Sequence, residues 1–388
     1  MLRVGIIGCG GIAMLHADNI ISGKCPEISV TAVADCRESR RVWAHKAFPD
    51  ATVFPEGSDL IRSGACDAVL IATPHYLHPT LAIEALNHGL HVMSEKPAGV
   101  YTLQVREMIA VANKHPELTL GLMYNQRTNC VYRKAKELLD SGELGRMKRM
   151  NWIITDWYRT QFYYNSGSWR ATWDGEGGGV LLNQCPHQLD LLQWLCGLPV
   201  HVHAFTHEGK WHNIEVEDDV TAYLEFANGA TGVFIASTGD VPGVNRLEIL
   251  GSKGRILIEN EQLLFTQNLQ DEREWCYTST TPFDVPEMET VPLELDGLNG
   301  QHAAVLNAFA AHILHGAPLV ADGREGLRGL MLSNAIHLSG WTHETVTLPF
   351  DEKKFLNLLN QKRAASQHKE SADIAMDTAG SFGRFHEQ

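Results

Sequence analysis

The chain has no pair of cysteines at C-x-x-C spacing. Its 8 cysteines (Cys9, Cys25, Cys36, Cys66, Cys130, Cys185, Cys196 and Cys276) are scattered from end to end. That distribution fits reduced thiols and argues against a disulfide frame or a zinc ribbon. No apolar run approaches the ~20 residues needed to span a bilayer. No basic and apolar leader precedes the first strand-like run, so the expectation is a cytoplasmic protein with no membrane partner. Basic residues are in deficit: Lys+Arg 32 stand against Asp+Glu 46, for a net charge of −14. Such a chain repels phosphate backbones, which argues against nucleic acid as a partner. No cluster of His, Cys, Asp or Glu falls at metal-ligand spacing, so no metal is expected. Internal repeats are absent too.

What is present is a chain of 388 residues, 44% of them hydrophobic, enough for two domains with sizeable cores. Residues 2–8 (LRVGIIG) form a short run of branched apolar side chains. The run breaks at Gly8-Cys9-Gly10-Gly11-Ile12-Ala13 and resumes as MLHADNII, with apolar residues at helical spacing. This is strand, glycine turn and helix on the G-x-G-x-x-G/A pattern of a dinucleotide cradle. Gly8 permits the tight turn, and Gly10 removes the Cβ that would block a pyrophosphate. Gly11 and Ile12 belong to the same cradle, and Ala13 is small enough for the helix to lie close on the strand. The helix start then aims free N–H groups and a positive dipole end at the anion.

A second apolar strand, residues 28–35 (ISVTAVAD), ends in Asp35, where a ribose 2′-OH needs an acceptor. A carboxylate there repels a 2′-phosphate, which favours NAD over NADP. Arg37, Arg40 and Arg41 beside it soften that bias, since each can pair with a phosphate. The alternation continues through residue 123. Strand 67–72 ends at Thr73-Pro74-His75, with His78 just beyond, and strand 90–94 ends at Glu95-Lys96-Pro97. Alternating strands and helices predict an α/β fold, a doubly wound parallel Rossmann sheet over residues 1–123. Ligands of such sheets bind beyond the carboxyl ends of the strands, where Gly8, Asp35, Thr73 and Lys96 all fall.

From Tyr124 the pattern changes. A helix over 131–141, a strand over 150–158 and a helix over 179–195 precede a β-rich stretch. Strands are expected over 201–207, 219–226, 230–237, 246–250, 255–259 and 262–265, with Asn228-Gly229 as a hairpin turn. Helices over 301–315 and 323–339 and a short strand at 346–348 complete an α+β domain, residues 124–350. Its sheet is large, open and mostly antiparallel. Residues 351–388 read as a polar extension holding one helix, 352–364.

Three features stand together: the glycine turn, Glu95-Lys96-Pro97 at a strand end, and Gly177-Gly178-Gly179 leading into Asn183, His187 and Asp190. On these, in this order and spacing, the chain resembles the glucose–fructose oxidoreductase/inositol dehydrogenase (Gfo/Idh/MocA) family from residue 1 to about 350. The resemblance implies that Lys96 reaches both the nicotinamide ribose and the substrate hydroxyl. It implies that His187 is the catalytic histidine of an Asp-x-x-x-His pattern and that Trp169-Arg170 lies against the cofactor. It also implies a homodimer or homotetramer. Asn183 departs from the pattern, which usually has Asp there. An amide orients a hydroxyl but cannot take its proton, so proton traffic falls to His187 and Lys96.

The residues carry the same chemistry without the family. Oxidising an alcohol with a nicotinamide removes a hydride from carbon and a proton from oxygen. A histidine, with an ordinary pKa of ~6.5, suits the proton, and a neighbouring ammonium stabilises the developing alkoxide. Asn183 and His187, four apart, are expected on one helix face, with Pro186 kinking or restarting that helix. Asp190 reads as structural. The stretch 157–173 (WYRTQFYYNSGSWRATW) is dense in aromatic and polar groups suited to the CH faces and hydroxyls of a sugar. Arg159, Tyr163 and Tyr164 lead as substrate contacts there, joined by Tyr124, Asn125 and Arg127 at the exit of the first domain. The expected activity is NAD-dependent redox chemistry at a secondary hydroxyl or ketone of a sugar, polyol or glycoside. An NAD-dependent glycosidase, working by transient oxidation with no net redox change, is the alternative.

Overall fold

The computed structural model describes residues 1–367. The expected extension past that point lies outside the described residues. The N-terminal region runs β1 (Leu2–Ile7), α1 (Gly11–Ile21), β2 (Ile28–Ala34), α2 (Glu38–Ala47), β3 (Thr52–Phe54), α3 (Gly57–Arg62), β4 (Ala68–Ile71), α4 (Leu77–Asn87), β5 (His91–Ser94), α5 (Thr102–Ala112) and β6 (Leu120–Leu122). The six strands pair in parallel in the order β3-β2-β1-β4-β5-β6. The order reverses between β1 and β4, and that switch point is where such a sheet opens a crevice. Every residue of β4 is buried, because helices cover both faces of a parallel sheet. β3 and α3 escape the sequence reading: a three-residue strand and a six-residue helix are too short to show a period.

The chain then runs through a 3-10 turn (Asn125–Thr128), α6 (Cys130–Asp140), β7 (Met147–Ile154), α7 (Gln161–Asn165), a π-helical turn (Val180–Gln184) and α8 (Pro186–Cys196). After these come β8 (His201–Glu208), β9 (Glu217–Glu225), β10 (Thr231–Ser237), β11 (Asn245–Gly251), β12 (Gly254–Glu259), β13 (Gln262–Asn268), α9 (Glu272–Thr278) and β14 (Met288–Val291). The last elements are α10 (Gln301–His315), α11 (Gly326–Thr342), β15 (Val346–Thr347) and α12 (Glu352–Ala365). The nine strands form one sheet, β14-β13-β12-β11-β7-β10-β9-β8-β15, antiparallel except for the parallel pair β7–β10. Its inner face buries Trp152, Phe234 and Phe265 completely, while Phe205, Tyr223, Leu250 and Leu264 on the outer face are exposed. Among the described residues no helix is long and apolar enough to cross a membrane.

The helix expected over 179–195 restarts at Pro186, as its missing N–H predicts: Pro186 is the first residue of α8, and a π-helical turn precedes it. Helix α10, although it comes after eight of the nine strands of the second sheet, returns to the first. Its Val305, Leu306, Phe309 and Ala310 join Leu2, Val4, Ile6, Ala13 and Ala17 in one core, each large side chain contributing roughly 1.5–3 kcal/mol.

Candidate active site

A cavity of about 1070 Å³ lies over the carboxyl ends of β1, β2, β4 and β5. Its floor includes Gly8, Gly10, Gly11, Ile12, Asp35, Arg37, Thr73, Pro74, His75, His78, Glu95 and Lys96. Its opposite wall includes Asn125, Arg159, Tyr163, Trp169, Arg170, Asn183 and His187.

The glycine turn is shaped by close approach. Gly8 has φ +92°, and a Cβ on it would come within 2.6 Å of the Ala72 carbonyl. Gly10 is the N-cap of α1 and no side chain caps that helix, so its first amides remain for an anion. A Cβ on Gly10 would meet nothing within 4 Å, so the space above the turn is open. Ala13 is fully buried behind the turn, where it packs rather than touches a ligand. The Asp35 carboxylate is fixed by the N–H groups of Cys9 at 2.8 Å and Arg37 at 2.9 Å. Arg37 and Arg40 stand at the rim, whereas Arg41 is turned onto the Asp35 and Cys36 carbonyls. These residues fit an adenine dinucleotide with a free 2′-OH. Asp35→Ala is expected to erode the preference for NADH over NADPH about tenfold or more, the worth of a hydrogen bond to a charged group. Paired fluorescence titrations with the two reduced cofactors measure the ratio, and an unchanged ratio would remove Asp35 from the ribose.

His78 spends both ring nitrogens on carbonyls, Pro97 and Thr73, each at 2.7 Å. It ties the turn after β4 to the turn after β5 and offers the cavity only its ring. His75 is held by the Glu176 carbonyl at 3.0 Å and meets Trp169 edge-on at 5.5 Å. Burial pushes its pKa well below the usual value. Glu95 bonds His16 at 2.7 Å. Burial alone would raise Glu95, but the His16 contact overcomes it and holds the carboxyl down to about 2.

Lys96 and His187 reach the cavity from two directions. Lys96 projects from the end of β5, and its Nζ donates to the Asn183 carbonyl at 2.8 Å. Burial lowers its pKa. His187 enters from the first turn of α8. Its pKa is pushed well below the usual value, first by burial and then by the charge of Lys96, so the imidazole is neutral at neutral pH. Nδ1 is buried and has no hydrogen-bond partner among the described residues. Asn183 reaches the same cavity from the π-helical turn, not from a helix face shared with His187. That turn is pinned by Glu217, which accepts the Gly179 and Leu181 N–H groups at 2.9 and 3.0 Å and pairs with His337 at 3.0 Å. A Cβ on Gly179 would run into the Glu217 carbonyl.

On the aromatic wall, Arg170 lies 4.6 Å over the rings of Trp169 and Tyr163 and donates to the Tyr163 hydroxyl at 2.8 Å. Arg159 lies 5.1 Å over Tyr163. Three expected cleft residues are corrected: Arg127 is buried away from the cavity in its pair with Asp190, and two tyrosines are buried as well. Tyr164 is buried behind the wall, its hydroxyl 2.7 Å from Thr238. Tyr124 is buried too, packed edge-on against His187 at 6.4 Å, and touches the chemistry only through that ring. Asn125 does reach the cavity, with its amide on Gln301. Asp190 faces away from the cavity into a bidentate pair with Arg127, at 2.7 and 2.8 Å. The sequence reading misses His302 of α10, Glu176 and Glu217. His302 lies 5.4 Å from His16 and lines the cavity, and no local pattern marks it.

An uncapped glycine turn, an acid just past the end of β2 and a lysine and histidine at one cavity are the features of a dinucleotide-binding oxidoreductase. The chain belongs to the Gfo/Idh/MocA family: residues 2–122 match the oxidoreductase family model with an NAD-binding Rossmann fold, and residues 132–257 match the family's C-terminal domain. It is 25% identical to a myo-inositol 2-dehydrogenase of Thermotoga maritima over 344 residues, 86% of this chain and 95% of that one. It is 25% identical to a D-glucoside 3-dehydrogenase of Escherichia coli over 373 residues, 89% of this chain and 97% of that one. Among solved structures, the WlbA dehydrogenase of Bordetella pertussis in complex with NADH and UDP-GlcNAcA superposes with a TM-score of 0.77. That pair is 27% identical, covering 90% of this chain and 98% of the other.

Proposed function

We propose that the protein interconverts a secondary hydroxyl and a ketone on a sugar, polyol or glycoside with NAD, and that Lys96 and His187 handle the proton. The observation that carries this reading is the pairing of Lys96 and neutral His187 at one cavity, with the glycine turn and Asp35 on its floor. The names of the relatives, inositol and glucoside dehydrogenases, agree with it. NAD, when bound, supplies the hydride acceptor. In the oxidative direction His187 Nε2 takes the hydroxyl proton. The Lys96 ammonium, already anchored on the Asn183 carbonyl, donates to the same oxygen and stabilises the charge that develops there. Arg159, Tyr163, Asn183 and Asn125 offer hydroxyl partners, and the rings of Tyr163 and Trp169 offer faces for the apolar side of a sugar. The protein works in the cytoplasm, a reading that its free cysteines support. It works as a homodimer or homotetramer, assembled through the exposed apolar side chains of the nine-stranded sheet.

The test is a screen of glycosides, sugars and polyols with NAD, following nicotinamide absorbance and sugar products together. A rise in NADH with a ketone product is expected. Sugar release with no NADH would replace this reading with a redox-neutral glycosidase.

A further inference from the structure

Glu176 is 1% exposed and lies just behind the cavity wall. One carboxylate oxygen accepts the Ala171 N–H at 2.6 Å, and the other accepts the side-chain amide of Asn183. Ala171 sits in the left-handed region with φ 58°, so Glu176 also holds the turn that carries Trp169 and Arg170. Burial raises the Glu176 pKa, while the Arg170 charge and the Ala171 N–H favour its ionised form; as a carboxylate it only accepts hydrogen bonds, so the NH2 of Asn183 faces it. The amide oxygen is therefore left to the cavity that Asn183 lines. The backbone carbonyl of the same residue holds the Lys96 ammonium.

We propose that Glu176 is a positioning residue that locks the Asn183 amide with its oxygen toward the cavity, as an acceptor for a substrate hydroxyl. The negative charge is thereby set one residue behind the surface, and the group that meets substrate is a neutral acceptor that cannot compete with His187 for the proton. The role at substrate rests on the hydride-transfer reading above, whereas the pairing stands on geometry alone.

An exchange of the two groups tests it. Glu176→Gln turns an NH2 toward Asn183, which can then present its oxygen to Gln and its own NH2 to the cavity. The KM for substrate is expected to rise and kcat/KM to fall about 10–100-fold, with NADH binding unchanged. Asn183→Asp alone sets two buried carboxylates against each other and is expected to lose a similar factor. The double variant restores one amide donating to one carboxylate, and kcat/KM is expected to return to within about tenfold of the native value. Thermal unfolding of the same four proteins, without substrate, reads the pairing independently. Losses that simply add in both measurements overturn the proposal. So does a Glu176→Gln protein with native KM and kcat, since Glu176 would then only hold the loop. If the native protein reduces NAD with no sugar or polyol, the proposed function fails. The thermal cycle still judges the pair, and additive losses there sink it.

Discussion

Replacing His187 by alanine is expected to lower turnover about 10²–10⁴-fold while leaving NADH binding intact. The expectation follows from position. His187 meets the cavity at the first turn of α8, away from the glycine turn and Asp35 that would hold the dinucleotide. Its removal takes away the proposed proton acceptor and spares the residues proposed to hold the dinucleotide. A pH profile sharpens the test. Burial, assisted by the Lys96 charge, holds this imidazole below its ordinary pKa. Its basic form therefore persists to lower pH than usual, and the acid limb of kcat/KM for oxidation should lie below the ~6.5 of an ordinary histidine. Native turnover in the variant would hand the base role to Lys96. An acid limb well above that pH would contradict the buried setting.

The second large effect is on stability. Asp190→Ala is expected to cost about 3–5 kcal/mol, the usual penalty for breaking a buried pair from one side. Arg127 is 4% exposed and Asp190 1%, so the guanidinium would lose its bidentate partner and keep only Glu325, at 2.8 Å. Gln193 would lose its acceptor as well. The urea midpoint of the variant measures the loss. A change below about 1 kcal/mol, the range of exposed pairs, would show that water reaches the site. Arg127 also stacks 5.5 Å over Tyr124, the ring that backs His187, so activity is expected to fall before the protein unfolds.

The legible part of this site is the part built by local chain geometry. Gly8, Gly10 and the helix at Gly11 lie within four residues, and the turn they make is fixed by steric rules that any reader of the sequence can apply. Asp35 and Lys96 were placed by a second rule, that parallel strands deliver their ends to one edge. Tyr124 and Tyr164 are not legible in this way, because a buried aromatic and a ligand-facing one look alike in one dimension and only packing separates them. Asn183 and His187 both line the cavity but from two turns rather than one helix face, because the restart that Pro186 announces falls between them. Glu176 was invisible because its role depends on which amide a loop folds onto. His302 arrives from a helix 115 positions after His187, and no period or motif announces it.

Helix α10 has a practical consequence. It supplies Phe309 and its neighbours to the core of the six-stranded sheet, although it follows eight of the nine strands of the other sheet in the chain. A fragment ending at residue 123 would leave that face bare to water. Anyone grafting this nucleotide-binding half onto another partner, or splitting the gene into two expressed pieces, must carry residues 301–315 along with it. The two halves of this enzyme are sewn together by a stitch that returns to the first cloth after the second has been cut.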